Sequence, residues 1–155
     1  MSGVSVTIDD REVKRAFAKM ERVISGGASA KAAWDEVGEH MLTATDDTFK
    51  KQGARDGMPR WKDLAPVTWA LRAKNKSKSA NGKILQVTAR LRRSIWRKTN
   101  RFGVTIGTNV NYAHKHQFGV GVPARPFLFV TRKDWTVIGR ILTRHMLAGF
   151  PRRTL

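Results

Sequence analysis

Two histidines stand two residues apart, His114 and His116. On a strand that spacing puts both imidazoles on one side, as a metal site needs. No third ligand stands nearby, so a hydrogen-bonded structural role is the preferred reading for both. His40 is a lone histidine on a helical stretch, read as packed or at the surface. Carboxylates pair at Asp9–Asp10 and Asp46–Asp47, where helix-start or solvated positions account for them. A metal-dependent nuclease needs several carboxylates beside its basic surface. Beyond Asp63 the chain offers only Asp134. There is no cysteine, which removes thiolate nucleophiles and thiolate zinc sites. No GxxxxGK[ST] loop, GxSxG elbow or HExxH helix occurs. No catalytic residue, cofactor or metal is expected, and the chain does not read as an enzyme.

Charge carries more information. The 155 residues include 30 Lys and Arg against 12 Asp and Glu, a net +18. From Met1 to Pro66 the two signs balance, so the whole excess falls on Val67–Leu155. Such a field attracts polyanions or acidic protein surfaces. Arg72–Lys83 is the most polar stretch and reads as a flexible basic loop. Arg72, Lys74, Lys76, Lys78 and Lys83 are its candidate contacts to DNA or to an acidic surface. No apolar run approaches the ~20 residues of a membrane span. The first residues lack the basic start and apolar stretch of a secretory signal.

These side chains need a scaffold, and the length suggests one domain spanning residues 1–155. Val4, Val6 and Ile8 alternate as a short strand. Asp9 and Glu12 open a helix carrying Val13, Phe17, Met20 and Ile24, which Gly26 and Gly27 stop. Ser29 is a candidate cap for a second helix, with Trp34, Val37, Met41, Thr45 and Phe49 on one face, ending near Lys51. The other face is acidic. Trp61 plugs the core where a turn-rich loop folds back. Pro66 opens a further helix. A hairpin is expected from Arg92–Asn100 and Val104–Thr108, with Gly103 in the turn. In its first strand Arg93, Ile95, Arg97 and Thr99 alternate with Arg92, Ser94, Trp96 and Lys98. Neither face is purely apolar, as suits an edge strand or one facing a partner. Asn111–Val120 is a compact turn or short helix, and Val122–Phe127 a proline-bracketed turn. A final helix, Thr131–Leu147, places Trp135, Ile138, Leu142 and His145 or Met146 inward. The fold class is α+β: a small antiparallel sheet with a central hairpin, packed against two N-terminal helices and a C-terminal one.

An ordered set of short motifs runs through this scaffold. WKDLAPVT begins at Trp61, and KILQVTARLRRSI spans Lys83–Ile95. YAHKHQFG spans Tyr112–Gly119, and ARPFLF spans Ala124–Phe129. In this order they resemble the phage virion morphogenesis family, the tail-completion type protein of Mu-like and related tailed phages. The resemblance covers roughly Asp9–Leu147. Two positions depart from the usual pattern: Ala89 and Phe129 stand where glycine is common.

The resemblance implies a structural protein of the head–tail junction, a neck or tail-completion ring, often hexameric, without catalysis. Its partners would be further copies of itself, the neighbouring neck and tail proteins (connector or stopper, tail tube), and DNA in the channel, with no membrane. It would reside in the virion, and in the host cytoplasm during assembly. Tyr112, His116, Gln117, Phe118, Arg125, Pro126 and Phe127 would be structural or interface positions. Asp35, Glu36 and Glu39 on the acidic helix would meet a neighbouring copy's basic surface, for which Arg92, Arg93, Trp96 and Arg97 are candidates. The rival reading is a non-catalytic nucleic-acid-binding module using the basic half.

Overall fold

The computed structural model describes residues 28–74 and 82–148, together with Ala18. The expected strand at Gly3–Ile8, nearly all of the helix after Asp9, and Lys76 and Lys78 lie outside the described residues. Among the described residues five helices and two strands follow in order: α1 (Ala28–Lys50), α2 (Pro66–Lys74), α3 (Arg90–Arg93), β1 (Ile95–Asn100), β2 (Gly103–Thr108), α4 (Ala113–Phe118) and α5 (Arg132–Leu147). β1 and β2 pair antiparallel, from Ile95 opposite Thr108 to Asn100 opposite Gly103. The architecture is α+β, as expected.

α1 is the axis of the packing. It already runs at Ala28, so Ser29 lies inside the helix rather than capping it. Its Val37 and Met41 pack against Ile138 and Ile141 of α5, with Val104 and Ile106 of β2 beside them. Gly38 lets the hairpin approach, because a Cβ there would lie 3.0 Å from Val104 Cγ2 and 3.1 Å from Arg97 Cδ. At its other end Phe49 enters a second cluster with Trp61, Ile84, Leu91, Val110, Ala113 and Phe127. The Phe49 ring meets Trp61 edge-on at 5.6 Å and Phe127 at 5.5 Å. Phe49 and Phe127 are almost fully buried, and truncating either to Ala should cost about 3–5 kcal/mol.

Trp61 takes the plug position expected of it. Its indole N–H donates to the Pro126 carbonyl at 2.8 Å, and its backbone N–H to Gln52 O at 2.8 Å. The ring lies so close to Gly53 that a Cβ there would fall 2.5 Å from it, and Gly53 has φ +92°. Only glycine satisfies both demands.

Further expectations are corrected. Gly103 does not sit in the turn but opens β2 opposite Asn100, without a left-handed φ. Arg92 and Arg93 are not strand residues but the end of the single turn α3. The backbone reverses at Ala89, which sits left-handed at φ 53°, ψ 14° and starts that turn. Arg92 can thereby reach Asp46 of α1 and Gln86 Oε1. On α5, Trp135 is 63% exposed, and Ile141 rather than Trp135 packs inward. The buried face runs Asp134, Ile138, Ile141, because Asp134 is drawn inward by an ion pair described below.

Candidate assembly surface

The segment from Tyr112 to Phe129 is held together by its own motif residues. Gln117 projects from α4 onto the chain running from Phe127 to Leu128. Its Oε1 accepts the N–H groups of Phe127 (3.0 Å) and Leu128 (3.1 Å), while its Nε2 donates to Leu128 O at 2.8 Å. One side-chain amide thus takes up three backbone groups of a segment that lies outside helix and sheet. Arg125 is 4% exposed. Its Nε donates to Lys62 O at 3.0 Å and its Nη2 to Asp63 O at 3.1 Å, fastening the loop that carries Trp61. The Arg125 N–H donates to His116 O at 2.6 Å. Burial, then the Arg125 charge, lowers the His116 pKa from its ordinary value, so the ring is neutral near pH 7 and stands edge-on to Tyr112 at 6.0 Å. With Gln117, His116, Arg125 and Phe127 committed inward, Phe118 is left 75% exposed and Val120 beside it 53%.

The acidic face of α1 meets the basic half of its own chain. Arg97 of β1 donates to Asp35 O at 2.7 Å and to Glu39 Oε1 at 2.6 Å. Glu36 takes Arg144 and His145 of α5, and those two hydrogen bonds hold its carboxyl below the usual range. Asp46 takes Arg92 and Lys50, again with a lowered pKa. Asp35, Glu36 and Glu39, expected to meet a neighbouring copy, therefore have partners within the subunit.

A buried ionic cluster locks α5 against α1. Asp134 is 2% exposed and Arg55 6%. Arg55 Nη1 donates to Asp134 Oδ1 at 2.9 Å, and its Nε to Thr48 Oγ1 at 3.1 Å. His40 Nε2 lies 3.0 Å from the same carboxylate oxygen. Thr131 and Asp134 form a reciprocal capping box at the start of α5. Burial by itself would raise the Asp134 pKa, but Arg55 and Thr131 outweigh it and hold the group far below the ordinary carboxylate range. Arg55 also lies 5.0 Å over the Phe129 ring. This cluster fastens elements together. Among the described residues no three His, Asp or Glu side chains are placed to hold a metal.

An open apolar groove of about 420 Å³ runs between α1, β2 and α5, with Trp34, Met41, Ile106, Trp135 and Leu142 on its walls. No described helix is long and apolar enough to cross a membrane.

The model of the phage virion morphogenesis family matches residues 8–147. The chain belongs to that family. Its work is in building the phage particle. It is similar to the Mu-like prophage FluMu G protein 2 of Haemophilus influenzae, 28% identical over 137 residues that make up 83% of this chain and 87% of that protein. No solved structure matches the chain.

Within this morphogenesis protein the expected site residues divide. Arg125 and Phe127 are buried; Gln117, Arg92 and Arg97 are half-buried with side-chain hydrogen bonds inside the subunit, and His116 and Tyr112 are half-buried against each other. Phe118, Arg93 and Trp96 are exposed. Of the expected basic loop, Arg72 and Lys74 instead lie on the last turn of α2, which runs on through these polar residues; Arg72 donates to Lys83 O at 3.2 Å and lies over the Trp69 ring, while Lys74 is exposed. Sequence reasoning passed over Arg55 and Asp134 as a pair. The signal was available: one acid alone in a basic half is an invitation to look for its cation. The glycine-type position at Ala89 does take the left-handed backbone, whereas Phe129 does not and uses its ring for Arg55.

Proposed function

We propose that this chain is a non-catalytic structural protein of the head–tail junction, a single domain that assembles into a ring joining head and tail. The observation that carries this reading is Phe118. It stands inside YAHKHQFG, one of the motifs that carry the family resemblance, its neighbours are used to brace the fold, and its ring is 75% exposed. A large aromatic ring on a rigid mount suits a contact with another subunit or a neighbouring virion protein. A closed ring of identical subunits needs such heterologous contacts. The expected ring is hexameric, and its neighbours are neck and tail proteins.

Phe118→Ser tests this. The variant should fold as a monomer, keep the far-UV circular dichroism of the parent, and fail to form the oligomer that light scattering is expected to show for the parent. A Phe118→Ser protein that assembles as the parent does would sink the reading.

A further inference from the structure

The β1–β2 hairpin has two faces of different character. Ile95, Arg97 and Thr99 are half-buried toward α1, while Trp96, Lys98 and Asn100 are exposed. The inner cation, Arg97, is taken by Asp35 and Glu39. The outer face is different. Lys98 lies opposite Thr105, Trp96 opposite Gly107, and Arg101 and Phe102 form the exposed tip. Neither Lys98 nor Arg101 pairs with a carboxylate among the described residues, and the chain has no Asp or Glu between Asp63 and Asp134.

Trp96 is held in an unusual way for a surface ring. Its six-membered ring is packed close against Gly107, where a Cβ would fall 2.8 Å from Cζ2. Its N–H donates to Asn109 Oδ1 at 3.1 Å. The N–H is satisfied and the six-membered ring is backed by Gly107, and the side chain is left 37% exposed in this fixed position. Lys98 follows one strand repeat along, about 6.8 Å away. At the tip the Arg101 guanidinium lies 4.7 Å over the Phe102 ring.

We propose that this outer hairpin face is a contact surface for nucleic acid, with Lys98 and Arg101 on phosphates and Trp96 beneath an unstacked base. Free cations alone would accept an acidic protein equally well. A fixed aromatic platform beside them is the arrangement that binds single strands, because every base has a π-face to stack. The inference goes beyond the ring reading and does not depend on it.

The test is fluorescence polarisation with a labelled thymidine 20-mer, the same-length duplex, and poly-glutamate as competitor. The parent should bind the single strand, with log affinity falling linearly in log salt. Lys98→Gln with Arg101→Gln should weaken binding about tenfold and lower the salt slope by about 2. Trp96→Leu should weaken single-strand binding about tenfold while changing duplex binding little. Both substituted cations are exposed, so unchanged melting temperatures keep the comparison fair. Binding of the double-Gln variant within twofold of the parent overturns the proposal. So does displacement of the oligonucleotide by poly-glutamate at equal charge, which would assign the face to an acidic protein. A Trp96→Leu variant with unaltered single-strand affinity removes the stacking role. Light scattering on the same samples separates the two ideas: a monomer that still binds DNA counts against the ring and not against this face.

Discussion

The side-chain amide of Gln117 pairs with the peptide of Leu128 in both directions, Nε2 donating to Leu128 O at 2.8 Å and Oε1 accepting the Leu128 N–H at 3.1 Å. The same oxygen accepts the Phe127 N–H. Gln117 is thus the crosspiece that seats Phe127 in the core and sets the mount of Phe118. Gln117→Ala strands two N–H groups and a carbonyl and should cost about 2–3 kcal/mol. Urea unfolding would read this as a lower midpoint with an unchanged slope. A loss under about 0.5 kcal/mol would deny the crosspiece its role.

Asp134 makes stability depend on acid pH. Its folded pKa lies well below the ordinary aspartate range, so the unfolded chain binds the proton more readily. The stabilisation is fully present above the unfolded pKa and fades as pH falls from there toward the folded value. Asp134→Asn takes away the closer of the two carboxylates on buried Arg55, leaving Asp56 at 3.2 Å, and should cost about 3 kcal/mol at pH 7. Unfolding measured from pH 6 down to pH 2 should show a decline that is flatter in the Asn variant. Parallel curves would refute the assignment.

Ala89 holds a left-handed backbone that an L side chain resists. Ala89→Gly relieves it but loosens the unfolded chain, leaving a net gain of about 0.5–1 kcal/mol. A thermal melt checks this, and a lower melting temperature than the parent's contradicts it.

Gly53→Ala acts in the opposite sense. The new Cβ would meet the Trp61 indole at 2.5 Å in a backbone of φ +92°. A loss of at least about 2 kcal/mol is expected, with the buried indole shifting toward a solvent-exposed emission. Parental stability would mean that the loop moves aside freely.

What the sequence made legible was local. The Trp61 plug, the start of α2 at Pro66, the turn before Gly103 and the extent of the last helix follow from residue types a few positions apart. What stayed hidden depended on partners far along the chain. Arg55 and Asp134 are 79 residues apart, and their pairing turns α5 so that Ile141 enters the core and Trp135 leaves it. Charge segregation was plain to read, but a count cannot say whether opposite charges meet within one subunit or between two. Here Arg97 and Arg144 reach α1 of their own chain. Alternation runs on through Arg92 as it would in a strand, whereas a left-handed Ala89 places it on a helical turn. The motif residues were recognised as a set, yet their roles as braces around an exposed Phe118 needed the geometry.

The head–tail junction account is tested most directly by imaging assembled virions and locating this chain in the density. The account predicts a closed ring of copies between head and tail, with Phe118 at a protein–protein contact. Finding the chain absent from the finished particle, or lying elsewhere than at that junction, would contradict it.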